Sequence, residues 1–264
     1  MTAPDVTPMH PSTQAEPLTA PVIEPDRLPQ HVGIQPDGNG RWAVQRGLPR
    51  TDGHVAGGGA LVEVIDGALA LGIPYLSLHA FSTENWKRPA AEVQFLLDYL
   101  AGFLVDNQER WQDQGVRLRW FGQRRHLPET VLRVLEDVEA ATVDNVALNL
   151  QFCLNYGGRA ELVDGVKAVA RAAAAGTLDP DTLDERSFLQ YLSDPDIPDV
   201  DLFLRSSGEH RLSNFMLWRV AYAELMFVDT LWPDVDRRDL YRAVELYAKR
   251  DRRRGGPATR PTVE

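Results

Sequence analysis

The chain has 264 residues, 44% of them hydrophobic and 25% charged, with a formal net charge of −10. That size suits one large globular domain or two small ones with a real core, and the acidic balance excludes a general nucleic-acid binder, which needs a net positive footprint for phosphate. The single cysteine, Cys153, excludes an intramolecular disulfide or a Cys-based zinc site and reads as a small core residue in a reducing cytoplasm.

Residues 1–30 carry seven of the 18 prolines with almost no apolar periodicity. They lack the basic and apolar regions of a signal peptide, so they are expected to form a disordered extension. No run of about 18 apolar residues is evident, so no membrane span is expected. A membrane-linked substrate would be met at the surface. From residue 31 to 256 no linker-like stretch or repeat interrupts the chain, which predicts one domain, followed by a flexible tail over 257–264.

The first strand signal is His31–Gln35, followed by Pro36 and then Asp37-Gly38-Asn39-Gly40-Arg41-Trp42. Glycines that free backbone N–H groups at a helix start make a phosphate site, and Arg41 adds fixed positive charge. An acid beside phosphate calls for a divalent cation between them, so Asp37 reads as a Mg²⁺ ligand on a diphosphate. An ordinary strand-to-helix turn with Asp37 as its cap would use the same residues. Residues 55–71 carry helical spacing, and Pro74–Phe81 reads as a buried strand.

The loop Ala80-Phe81-Ser82-Thr83-Glu84-Asn85-Trp86-Lys87-Arg88-Pro89 follows that strand, where open parallel sheets hold ligands. It suits either a ligand-orienting loop or a plain helix cap. In the helix predicted over 89–113, Val93, Leu96, Leu97, Leu100, Phe103 and Leu104 form one apolar stripe. Such a stripe serves core packing or the wall of a hydrocarbon pocket. Val116–Phe121, Val146–Leu154 and Val200–Leu204 read as strands, with helices over 128–142, 158–174 and Asp236 to Arg252. The acidic run Asp194-Pro195-Asp196-Ile197-Pro198-Asp199 reads as a solvated loop. Alternating strands and helices predict an α/β fold with a mostly parallel sheet and helices on both faces.

After the strand ending at Leu204 comes Arg205-Ser206-Ser207-Gly208-Glu209-His210-Arg211-Leu212-Ser213. Two arginines and Ser213 suit a diphosphate, at roughly 1.5–3 kcal/mol per charge-assisted hydrogen bond. Glu224, alone in an apolar stretch, is either a paired structural charge or a second metal ligand. The chain has no Walker G-x-x-x-x-G-K-[ST] and no G-x-G-x-x-G fingerprint. It also lacks the D-D-x-x-D pair of the all-helical trans-prenyltransferases.

Taken together, five ordered segments resemble the cis-prenyltransferase family, typified by undecaprenyl and decaprenyl diphosphate synthases of actinobacterial type. They are H-x-G-I-x-x-D-G-N-G-R-W from His31, G-H-x-A-G from Gly53, A-F-S-T-E-N-W-K-R-P from Ala80, N-Y-G-G-R from Asn155, and R-S-S-G-E-H-R-L-S-N-F from Arg205, running on to A-Y-A-E-L and L-W-P-D. The resemblance implies a six-stranded parallel sheet, a hydrophobic tunnel, a homodimer and Mg²⁺-dependent condensation of isopentenyl diphosphate with an allylic diphosphate primer.

By the same resemblance, Asp37 and Glu224 would hold Mg²⁺, and Asp37 with Asn85 would be catalytic. Gly38, Asn39, Gly40, Arg41, Trp42, Arg50 and His54 would surround the primer diphosphate. Ser82, Trp86, Arg88, Arg205, Arg211 and Ser213 would hold or position isopentenyl diphosphate. Arg253 and Gly255 would reach the partner subunit's site, and Ala80, Leu96, Leu100 and Phe103 would line the tunnel. The chain departs from the pattern at Gln35-Pro36, at Val55 and at Gly57-Gly58-Gly59. A long cis-polyprenyl product of about ten or eleven units, feeding cell-wall lipid carriers, is the first expectation. A short-chain synthase of secondary metabolism is the alternative. A catalytically silent partner subunit would lack Asp37, Ser82 and Asn85, all present here.

Overall fold

A computed structural model of the chain describes residues 18–250. Six strands form one sheet: β1 (His31–Gln35), β2 (Tyr75–Ser82), β3 (Val116–Phe121), β4 (Leu148–Tyr156), β5 (Leu202–Arg205) and β6 (Glu224–Phe227). Their order is β3-β4-β2-β1-β5-β6 and every pairing is parallel. The helices are α1 (Asn39–Gln45), α2 (Arg50–Leu71), α3 (Ala90–Asp113), α4 (Glu129–Ala141), α5 (Gly158–Ala174), α6 (Glu185–Phe188) and α7 (Arg237–Ala248). β6 was not anticipated. Its four residues, with Glu224 and Phe227 half-buried and Leu225 exposed, are too short and too weakly patterned for a strand signal.

Strand side chains alternate between two cores, as the two-residue period requires. Val32, Ile34, Leu76, Leu78, Leu150 and Phe152 join the core formed with α2, α3, α4 and α7, whereas Cys153, Tyr156, Phe203, Phe215, Ile197 and Val200 form a second one. Cys153 is fully buried, and that burial pushes its thiol up.

Three expectations need correction. Residues 18–30 are not a disordered extension: Ala20, Ile23 and Leu28 pack on the core, and Arg27 Nη1 donates to the Ala248 carbonyl at 3.0 Å. The acidic run 194–199 is not a solvated loop. Buried Arg219 donates to the Ile197 and Asp194 carbonyls, Arg119 pairs with Asp194 at 2.5 Å, and Ile197 is buried. Finally, α2 has the length and hydropathy to cross a membrane. Here Gly57 packs on Trp232, Gly67 on Arg237, and Val64, Ile65 and Ala68 enter the core, so α2 is a core helix.

The chain runs from β1 to β2 on one side of the sheet and returns to β5 on the other. The ends of β1, β2 and β5 therefore flank the crevice where open parallel sheets hold ligands.

Candidate active site

A cavity of about 610 Å³ opens at those strand ends. One end is cationic: Arg41, Arg50, Arg88, Arg205 and Arg211 line it against only two carboxylates, Asp37 and Glu84. The other end is apolar, walled by Leu61, Leu78, Ala80, Leu96, Leu100 and Phe103. A strongly acidic chain thus concentrates positive charge where an anion with a hydrocarbon tail would lie.

Asp37 occupies the turn from β1 into α1. Its Oδ1 accepts the Gly38 N–H at 2.7 Å and its Oδ2 accepts Arg205 Nη2 at 2.8 Å. Its backbone N–H donates to Ser206 Oγ at 2.8 Å, and its carbonyl accepts the Trp232 N–H at 2.9 Å. The turn depends on Gly38, whose φ of 102° is left-handed and whose absent Cβ would lie 2.8 Å from Leu231. Gly40 similarly leaves room for the Arg50 guanidinium, 2.7 Å from where a Cβ would sit.

On the neighbouring helix ends, Asn39 Nδ2 lies 3.2 Å from His54 Nδ1, and Arg88 Nη1 lies 3.5 Å from His54 Nε2. Burial, with the charges of Arg88 and Arg50, lowers the His54 pKa from 6.5 to about 4, so it is neutral near pH 7. Arg41 reaches Ser207 Oγ at 2.6 Å and Glu209 at 3.1 Å.

Across the cleft, Arg205 is 3% exposed, and its Nη1 donates to Ser213 Oγ at 2.6 Å. Ser213 and Asn214 both have positive φ, 48° and 65°, a backbone state that clusters at functional sites. Asn214 ties three loops together. It donates to Glu84 Oε1 at 2.8 Å, its side-chain oxygen accepts the Arg159 N–H at 2.8 Å, and its carbonyl accepts the Gly158 N–H at 2.6 Å. On the β2 side, the Ser82 N–H donates to Asn85 Oδ1 at 3.0 Å, closing a capping box. Ala80 is the extra residue of a bulge: His79 pairs with Cys153 and Phe81 with Leu154, which leaves Ala80 unopposed at the cavity wall.

Most residues singled out from the sequence meet at this cavity. Asp37, Gly38, Asn39, Gly40, Arg41, Arg50, His54, Ser82, Asn85, Arg88, Arg205, Arg211 and Ser213 line it, as do Ala80, Leu96, Leu100 and Phe103. Three described residues do not. Trp42 turns outward, with Nε1 on Asp234 at 2.7 Å and Arg46 stacked on its ring. Trp86 packs on Phe81 and donates to Asn155 Oδ1 at 2.7 Å, so it anchors its loop. Glu224 begins β6, opposite Leu202 and three residues before the level of Arg205, and is ion-paired with Arg250. At about 3.3 Å per residue that sets it roughly 10 Å down the sheet, so within one chain it does not join Asp37 in a metal site. Arg253 and Gly255 lie outside the described residues.

The cavity also contains residues to which the sequence assigned no role, including Gln35, His79, Tyr99, Asn214 and Trp232. Gln35 stood out as a departure from the family pattern, and Asn214 and Trp232 as members of two of its motifs; His79 and Tyr99 carried no signal. Gly58 explains Tyr99: a Cβ there would lie 2.1 Å from the Tyr99 hydroxyl, which bonds the Val55 carbonyl at 3.1 Å.

The undecaprenyl diphosphate synthase family model matches residues 36–255. A trans,polycis-polyprenyl diphosphate synthase of Thermobifida fusca, described as (2Z,6E)-farnesyl diphosphate specific, is 52% identical over 254 residues, 96% of this chain and 90% of that protein. A decaprenyl diphosphate synthase of Mycobacterium bovis is 51% identical over 230 residues, covering 87% of this chain and 78% of its own. The crystal structure of lavandulyl diphosphate synthase from Lavandula x intermedia, in complex with dimethylallyl diphosphate, superposes with a TM-score of 0.82 at 33% identity, covering 86% of this chain and 98% of that one. With five matching motifs meeting at one cleft, the chain belongs to the undecaprenyl diphosphate synthase family of cis-prenyltransferases.

Proposed function

We propose that the chain condenses isopentenyl diphosphate with an allylic diphosphate primer, repeatedly and with cis geometry, to a long polyprenyl diphosphate of about ten or eleven units. The single observation that carries this reading is the cleft itself, which gathers five arginines and an apolar wall in one cavity, with the Asp37–Arg205 pair in its lining. Two relatives at 51–52% identity are named for polyprenyl or decaprenyl products, against 33% for the lavandulyl enzyme, and this favours a long product over a short one. A cell-wall lipid carrier is the matching destination. The chain works in the cytoplasm as a homodimer that meets membrane lipid through its product.

Gly38, Asn39, Gly40, Arg41, Arg50 and His54 hold the primer diphosphate, beside Asp37. Ser82, Arg88, Arg205, Arg211 and Ser213 hold isopentenyl diphosphate. The primer's C1–O bond breaks, a C–C bond forms to the terminal alkene carbon of the second substrate, and one proton leaves. Arg41 and Arg50 stabilise charge on the departing diphosphate. Neutral His54 can donate a hydrogen bond there without adding charge to an already cationic end. Asn85 is fixed by its bond to the Ser82 N–H and lines the cavity, where it can assist removal of the proton.

The described residues contain no cluster of three metal-ligating side chains. The Asp37 carboxylate, among arginines in the cavity lining, is a donor that suits Mg²⁺, which binds through one or two carboxylates and otherwise through substrate phosphates and water. Asp37 is the residue that would hold it, and when bound it neutralises the leaving diphosphate. Incubation with farnesyl and isopentenyl diphosphates and Mg²⁺, followed by sizing of the products, tests the reading. EDTA should abolish product, and excess Mg²⁺ should restore it.

A further inference from the structure

The cleft floor carries one polar pair that these assignments leave without a task. Gln35 ends β1 and His79 lies near the end of β2, and the Gln35 amide is bonded to His79 Nδ1 at 2.6 Å. Both residues line the cavity. His79 is 4% exposed and tightly held. Its ring stacks on Phe215 at 4.7 Å and 16°, meets Tyr156 edge-on at 5.9 Å, and has Nε2 3.4 Å from the Tyr156 carbonyl. An imidazole packed on two rings does not turn, so it fixes the orientation of the amide it binds, as outer-shell partners do. With the amide oxygen so engaged, the Gln35 NH₂ group makes no hydrogen bond to the described residues.

The sheet register sets what that group can reach. Gln35 is paired with Arg205 on β5, and Arg205 binds Ser213 Oγ. Phe215, the ring on which His79 stacks, is two residues beyond Ser213 in the same loop. The amide is therefore part of the floor beneath the Arg205–Ser213 half of the cleft. A half-buried donor without a protein acceptor favours an anion that supplies one. A neutral amide does so without disturbing the adjacent Asp37–Arg205 pair.

We propose that Gln35 is a specificity-determining contact to the condensing substrate, donating from its amide nitrogen to a diphosphate oxygen of isopentenyl diphosphate, with His79 as the residue that positions it. The proposal rests on the cis-prenyltransferase reading of this cleft. The test is steady-state kinetics with each diphosphate varied in turn, on wild type, Gln35→Met, His79→Phe, His79→Asn and the double variant Gln35→Met/His79→Phe. Gln35→Met should raise KM for isopentenyl diphosphate about ten-fold, the low end for a bond to a charged group. Its primer KM and kcat should stay close to wild type.

His79→Phe should give a smaller rise in the same KM, and His79→Asn, whose amide can stand near the Nδ1 position, should recover most of it. The double variant should be no worse than Gln35→Met alone, because His79 acts through the amide. An unchanged KM in Gln35→Met, or fully multiplicative effects in the double variant, overturns the proposal while leaving an active wild type explained. Gln35→Leu replaces Gln35→Met if the latter fails to fold. A wild type that makes no product overturns the cis-prenyltransferase reading instead. Calorimetric titration with inorganic diphosphate then decides the amide contact, and equal affinity of wild type and Gln35→Met refutes it.

Discussion

Replacing Asp37 by alanine separates two roles that one carboxylate fills. Arg205 is almost fully buried, at 3% exposure against 28% for Asp37, so removing the acid strands a guanidinium away from water. Arg205 keeps Ser213 Oγ and the Arg211 carbonyl as acceptors. Removing one partner of a fully buried pair costs about 3–5 kcal/mol. The remaining acceptors and the partial exposure of Asp37 reduce this to about 1.5–3 kcal/mol, the range for one charge-assisted hydrogen bond. At about 2–4 °C per kcal/mol for a chain of this size, Tm should fall by roughly 3–12 °C. Asp37→Asn keeps an acceptor and should fall less. Turnover should nonetheless drop by orders of magnitude in both variants, since neither offers a carboxylate to the cation on the leaving group. Scanning calorimetry and incorporation of labelled isopentenyl diphosphate measure the two effects separately. An Asp37→Ala protein that melts with wild type would refute the buried-pair argument. One that keeps more than about a tenth of turnover, roughly 1.4 kcal/mol in barrier, would refute the leaving-group role.

Arg211→Ala should raise KM for isopentenyl diphosphate about ten-fold, near 1.4 kcal/mol, with less effect on the primer; a larger rise in primer KM would show that the two diphosphate sites are assigned in reverse. Ala80→Leu puts bulk into the bulge at the cavity wall and should yield shorter products with the first condensation largely intact, read by product sizing; an unchanged distribution would place the growing chain elsewhere. Burial lowers the pKa of His31, His54 and His79 from 6.5 to about 4 each, so between these values the unfolded chain binds more protons than the folded one. Stability should therefore be complete above about pH 6.5 and decline toward pH 4, by at most about 1.4 kcal/mol per pH unit for each histidine. Equal urea midpoints at pH 7.5 and pH 5 would contradict this.

Five of the seven helices and the first five strands were legible from helical spacing or Ala-rich composition, from apolar runs, and from Gly, Pro and Asp at their ends; α6, one turn long, left no such signal. The cationic end of the cleft was legible too, since glycine and arginine in short runs after strands have few other uses. Other features arise only from tertiary packing. The bulge at Ala80 is a slip of register between β2 and β4 and leaves no trace in the alternation of either strand. Trp42 and Trp86 stand inside ligand-binding motifs, yet Asp234 and Asn155 hold them elsewhere. His79 sits in an apolar strand, and its partner Gln35 lies 44 residues away. Gly58 loosens a helix on paper, but the space it leaves is filled by Tyr99 from the next helix.

The three-way junction at Asn214 makes the cleft mechanically lopsided. The loop after β2 is fastened to it by one side-chain bond, Asn214 to Glu84, in an exposed setting. The loop after β5 carries Asn214 itself and is also held to the start of α5 through the Arg159 and Gly158 amides. At this junction the β2 loop holds one bond and the β5 loop holds that bond and two more, while Trp86 fastens the β2 loop separately to Asn155. The β5 loop is thus the common post to which both the β2 loop and the start of α5 are tied.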